Sequence, residues 1–147
     1  MDLETLNTDL TAEQVALDSV CANLEDAAWA LATPSPGWTV ADQIAHLTYF
    51  DRAAVTAIGN PLGFNDHLGE VVAALEAGPD AFEALTLGTL RDLPPAELLA
   101  CWRDARRELA AAAATLGDGD RVPWYGPDMA AKSFLTARLM ETWAHGQ

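Results

Sequence analysis

Positive charge is scarce in this sequence: 8 Lys and Arg stand against 22 Asp and Glu in 147 residues, a formal net charge of -14. Binding to a nucleic-acid backbone requires clustered basic side chains that release counterions, and eight scattered ones do not supply them. The same field repels an anionic membrane surface. Long apolar runs are missing too. The most extended, Leu109 to Leu116, is mostly alanine and far below the ~20 residues that a bilayer span needs. Cysteine is limited to Cys21 and Cys101, with no CxxC spacing, so free thiols are expected rather than a disulfide framework. The N-terminus, Met1-Asp2-Leu3-Glu4, is acidic where a secretory signal is basic, which makes the cytoplasm the default expectation.

What is present favours helix. Alanine supplies about a fifth of the chain, and Leu, Glu and Arg fill much of the rest of the long segments. No segment reads as a convincing strand. Apolar positions Leu10, Val15, Val20, Leu24 and Leu31 predict a first helix from about Asp9 to Leu31, closed by the Pro/Gly turn Thr33 to Gly37. Thr39 then stands as an N-cap with Asp42 in the capping-box position, opening a second helix to about Ile58. Its stripe of Val40, Ile44, Leu47, Ala54 and Ile58 lies beside another carrying Asp42, His46, Tyr49 and Ala53.

Asn60 to Leu93, broken by four glycines, reads as a crossover with one or two short helices. Pro94-Pro95 starts a third helix, Ala96 to Leu116, and Gly117-Asp118-Gly119 ends it. An aromatic loop, Arg121 to Pro127, leads to Asp128 as N-cap of a fourth helix, Met129 to His145. The expected fold is an all-α four-helix bundle with one long, partly helical crossover between helices two and three, in a single domain over residues 1–147. Trp29, Trp38, Trp102 and Trp143 are assigned to its core.

Glu141 and His145 are four residues apart on the fourth helix, so their side chains project from one face about one turn apart and can converge on one ion. His46 supplies a third ligand if helices two and four are neighbours. Two imidazoles and one carboxylate match open zinc sites, and the set suits iron, nickel or manganese as well. On pattern alone, an exposed ion pair beside an unrelated core histidine is the commoner outcome. The apolar neighbours of His46 and His145 weigh the other way, since an unpaired imidazolium is costly there. His67 has no evident partner. Asp42 serves either to orient His46 or, more simply, to cap its helix.

Three stretches carry a family resemblance: Pro36 to Leu47 (PGWTVADQIAHL), Val122 to Pro127 (VPWYGP) and Leu139 to Gln147 (LMETWAHGQ). Together they resemble the N-terminal domain of mycothiol-dependent maleylpyruvate isomerases, within the wider DinB-like metalloprotein superfamily. The resemblance implies a bundle holding a divalent metal, usually Zn2+, through His46, Glu141 and His145. Three histidines are common across the superfamily, so Glu141 points to the mycothiol branch. It further implies mycothiol or a similar low-molecular-weight thiol as cosubstrate and a small electrophile as substrate, in an isomerase or thiol S-transferase. A non-catalytic metal-binding or regulatory domain is the alternative.

Arg138, one turn before Glu141, is the candidate for holding a substrate carboxylate, with pairing to Glu141 or solvent as the plainer reading. Trp124 and Tyr125 are candidate walls of the pocket mouth, or plain packing. Such proteins often carry a second, C-terminal domain, whereas this chain stops two residues after His145, so the expectation is either a cut domain or a chain that works with a partner. An apolar helix face would allow a homodimer, which nothing in the residues fixes.

Overall fold

The computed structural model describes residues 1–147 and gives the order α1 (Leu3–Cys21), a 3-10 turn (Asp26–Ala30), α2 (Val40–Gly59), α3 (Pro61–Ala77), α4 (Pro79–Leu87), α5 (Pro95–Ala113), β1 (Arg121–Val122), β2 (Met129–Ala130) and α6 (Ala131–His145). The four bundle helices are α1, α2, α5 and α6: α2 packs on α5 and α1 on α6, while α1 against α5 and α2 against α6 close the ring. Helices α3 and α4 form the crossover and lie against α2. No helix is long and apolar enough to cross a membrane.

Local chemistry explains most boundaries. Asp2 caps α1 by accepting from the Thr5 amide at 2.7 Å. The Thr39/Asp42 capping box closes both ways: Thr39 Oγ1 accepts from the Asp42 amide at 3.3 Å, and an Asp42 carboxylate oxygen accepts from the Thr39 amide at 3.0 Å. Asn60 caps α3, and Pro61, Pro79 and Pro95 each stand in the first turn of a helix, where a missing N–H costs nothing. Between α3 and α4 the chain turns at Gly78 with φ 120°, a region that side chains strongly disfavour.

The core has two layers. One gathers Leu6, Leu10, Phe64, Leu109, Phe134 and their neighbours, and the other gathers Leu17, Trp29, Ile44, Leu47, Leu98 and Trp102. Along α2, the buried Asp51 lies between them and pairs with Arg138 of α6 at 2.7 Å.

The observed elements depart from expectation in four places. The first helix starts at Leu3 and stops at Cys21, ten residues before the predicted Leu31, and Val15, Val20 and Leu31 are exposed. Its buried face runs through Leu6, Leu10, Gln14, Leu17, Asp18 and Cys21. Two polar residues interrupt the apolar period there, because Asp18 is held by Arg103 and Arg106 of α5. The fourth helix starts at Ala131 rather than Met129, and Asp128 does not cap it. Instead Met129–Ala130 pairs antiparallel with Arg121–Val122, so two short strands stand where none was expected. The crossover is more regular than its glycines suggest, with α3 continuous through Gly63 and Gly69. Trp143 is 57% exposed and so lies outside the core.

Candidate metal centre

Two helices build the site. From α2 come Gln43, His46 and Phe50, one turn apart; from α6 come Arg138, Glu141 and His145, at the same periodicity. Contact between α2 and α6 brings the two rows together. Glu141 Oε2 lies 3.4 Å from His46 Nε2 and 3.3 Å from His145 Nε2. The three candidate ligand atoms all fall within 4.8 Å of one another. The expected set of His46, Glu141 and His145 is therefore brought together in space.

Two arrangements bear on those distances. A direct charge-assisted hydrogen bond between imidazolium and carboxylate closes to roughly 2.7–2.9 Å. Tetrahedral coordination with bonds of about 2.0–2.2 Å sets neighbouring ligand atoms roughly 3.3–3.6 Å apart. The spacing around Glu141 Oε2 falls in the second range. Borderline nitrogen donors with one hard oxygen are a donor set that zinc and other divalent first-row ions accept, so the residues present fit such an ion.

The electrostatics agree with the geometry. Burial holds the His46 imidazole below its ordinary pKa, and this outweighs the upward pull of Glu141. Trp38 and Phe50 flank its ring at centroid distances of 5.3 and 4.7 Å. A neutral imidazole is the ligating form. The two imidazoles beside it, His145 before His46, hold the Glu141 carboxyl far below the usual carboxylate range, against the opposing effect of burial, so its negative charge is retained. On the side away from Glu141, His145 Nδ1 meets Gln43 Oε1 at 2.6 Å.

A cavity of about 240 Å³ opens beside these residues, and His46, Glu141, Phe50, Trp124, Tyr125 and Arg138 are among those that line it. Trp124 stacks on Phe64 at an interplanar angle of 13° and meets Phe134 edge-on, so it is both wall and packing. Tyr125 Oη is 2.5 Å from His67 Nε2, which gives His67 the partner it lacks in a sequence reading. Burial raises the Tyr125 phenol well above its ordinary pKa, and it stays protonated at neutral pH.

Arg138 borders the cavity but is paired with neither Glu141 nor solvent. It is 3% exposed, donates to Asp51 Oδ1, and its guanidinium lies 6.0 Å from the centre of the Trp124 ring. Asp42 has no hydrogen bond to His46: its carboxylate accepts from the Thr39 amide and from Arg91 at 2.9 and 3.0 Å. Gln43, Phe50, Asp51 and His67 are site or near-site residues that sequence reasoning missed. For Gln43 a signal existed, since it is one turn before His46 on a largely apolar stretch; Asp51 gave none.

Comparison with known proteins places the chain in a family. Two curated relatives, uncharacterized proteins of Mycobacterium tuberculosis strains CDC 1551 and H37Rv, are each 45% identical over 138 residues, covering 94% of this chain and 52% of their own length. The chain thus spans about half the length of the curated relatives it matches. Among solved structures, the mycothiol-dependent maleylpyruvate isomerase superposes with a TM-score of 0.73 at 17% identity. A histidine-to-alanine mutant of that enzyme gives 0.74 at 18%. Each covers 99% of this chain and 60% of the solved one, a likeness of fold. The sequence profile of the mycothiol maleylpyruvate isomerase N-terminal domain matches residues 10–147, and the chain belongs to that family.

Proposed function

We propose that this chain is the metal-binding domain of a thiol-dependent enzyme, of the mycothiol-dependent isomerase or S-transferase type, with His46, Glu141 and His145 as ligands to a divalent ion, zinc first. The observation that carries the reading is the convergence of His46, His145 and Glu141, with both Nε2 atoms 3.3–3.4 Å from Glu141 Oε2 and all three ligand atoms within 4.8 Å, beside an open cavity. Three protein ligands leave a fourth tetrahedral position for an exogenous group. When bound, such an ion would lower the pKa of a coordinated thiol so that it is a thiolate near neutral pH.

The chain's own residues supply the rest. Glu141 contributes a negative charge that offsets part of the ion's and so loosens its hold on an anionic sulfur, which keeps a bound thiolate exchangeable. Phe50, Trp124 and Phe134 give the cavity apolar walls that exclude water from a thiolate and strengthen its interactions there. Tyr125, whose phenol keeps its proton, forms part of the cavity wall and is held there against His67. The cavity, about 240 Å³, suits the sulfur-bearing end of a thiol together with a small electrophile. Thiolate addition to an activated carbon–carbon double bond leaves a carbanion and a single bond that rotates before the thiolate departs, which isomerises the substrate; if the carbanion instead takes a proton from water, the thioether remains and the reaction is S-transfer.

Titration of the cobalt-substituted protein with mycothiol tests this reading. The expected result is a saturable sulfur-to-cobalt charge-transfer band that is lost in His46→Ala. Cobalt binding with no spectral response to the thiol would contradict it and leave a non-catalytic metal-binding domain.

A further inference from the structure

The hydrogen bonds around Gln43 carry one orientation from a surface turn to the candidate metal centre. Thr33 Oγ1 donates its proton to the Trp38 carbonyl oxygen at 2.9 Å, so toward Gln43 it can only accept. The Gln43 atom 2.9 Å from it is therefore the amide nitrogen Nε2, which also donates to Ser35 Oγ at 2.9 Å. With the nitrogen turned to Thr33 and Ser35, the amide oxygen Oε1 faces His145 Nδ1 at 2.6 Å. An amide oxygen has no proton to give, so His145 Nδ1 carries one.

In a neutral imidazole the proton on one nitrogen leaves the lone pair on the other, and the bond made by the first decides which is which. With Nδ1 protonated, the neutral ring has its lone pair on Nε2, the atom 3.3 Å from the Glu141 carboxylate. Two acceptors facing each other at that distance repel unless a positive charge joins them. The network thus presets the ring of His145 for a cation bound at Nε2.

We propose that Gln43 is a positioning residue that locks His145 in the Nδ1-protonated tautomer and fixes its ring plane for metal binding, itself held by the Thr33–Trp38 turn. His145 is the last residue of α6, where helices fray and a ligand loses its preorganisation. The bond to Gln43 ties that end to the first turns of α2, within the part anchored by the Thr39/Asp42 capping box. Trp38, the carbonyl acceptor of the turn, also stacks near the His145 ring at 6.0 Å and 25°, so turn and ligand are in contact twice over. Outer partners of this kind set ligand orientation in metal sites and typically cost 10–100-fold in affinity when removed.

This inference rests on the reading of His46, Glu141 and His145 as ligands, and the experiment separates the two. Zinc affinity of the purified full chain is measured by chelator competition for the wild type, Gln43→Leu and Gln43→Glu. Nitrogen chemical shifts of the His145 ring are recorded in the metal-free proteins above the pH range of imidazole titration. We expect a roughly 10–100-fold weaker zinc affinity in Gln43→Leu, with the His145 proton moved from Nδ1 to Nε2. Gln43→Glu, which keeps an acceptor at Nδ1 but loses the donor to Thr33 and Ser35, should keep the His145 proton on Nδ1 and lose less affinity than Gln43→Leu. Unchanged affinity in Gln43→Leu, or a wild-type His145 protonated at Nε2, would overturn the inference. A wild type that binds no zinc while His145 keeps its proton on Nδ1 would instead remove the metal reading and leave the tautomer lock standing.

Discussion

At the scale of single residues, the site depends on charges that have little choice of partner. Arg138 illustrates this: chosen from sequence for its place one turn before Glu141, it is buried and committed to Asp51. Burial pushes the Asp51 carboxyl up, and Arg138 pulls the other way. One Asp51 oxygen and Arg138 Nε have no hydrogen-bond partner, so the pair is a costly interior feature held by its own attraction. Arg138→Met should destabilise the protein by about 3–5 kcal/mol by stranding Asp51, and a paired Asp51→Leu/Arg138→Met variant should recover much of that. Chemical denaturation of both variants checks it; a single variant as stable as the wild type would show that Asp51 needs no counter-charge. Glu141 and His145 share a helix face by local arithmetic, whereas His46 joined them in sequence only through the family resemblance. Gln43 to His145 and His67 to Tyr125 were not legible there, since each bond joins separate elements whose juxtaposition depends on the packed bundle.

At the scale of elements, helix ends were legible where they are encoded by caps and prolines, and illegible where pairing decides them. Thr39, Asp42, Pro95 and Gly78 marked boundaries through their own backbone chemistry. The short hairpin of Arg121–Val122 with Met129–Ala130 is too brief for a periodic signal, and it displaced the predicted start of the fourth helix. The first helix was misregistered for a different reason: Asp18 sits on its buried face because α5 supplies Arg103 and Arg106 there. Arg103 grips the Asp18 carboxylate with two bonds, at 2.8 and 2.6 Å, and Arg106 adds a third.

That grip predicts how α1 responds to acid. The bonds from Arg103, with the nearby charge of Arg106, depress the Asp18 pKa below its ordinary value of 3.8, against burial. A carboxyl depressed in the folded state stabilises fully above its unfolded pKa, and the contribution is lost as pH falls through the folded value. Asp18→Asn should therefore cost about 1.5–3 kcal/mol at neutral pH, and the gap from the wild type should narrow below about pH 4. Denaturant unfolding across that range tests it; a gap independent of pH would contradict the assignment.

At the scale of the whole molecule, the bundle does two jobs with the same four helices. Its two apolar layers hold α2 and α6 side by side, and that contact is what makes a site from residues 95 and more positions apart. The all-α character followed from composition, and the mycothiol-isomerase family was readable from three short motifs. The half-buried centre is visible once both helices are in place. A net charge of -14 surrounds it with a field that attracts cations. A bound ion would stabilise the folded chain by mass action, since the unfolded chain scatters its ligands.

The central claim is that His46, Glu141 and His145 hold a divalent ion, and elemental mass spectrometry of the purified protein beside His46→Ala and His145→Ala addresses it most directly. The account predicts about one zinc or other divalent ion per chain, absent from both variants. Protein that stays metal-free after reconstitution, or variants that keep the wild-type metal content, would contradict it.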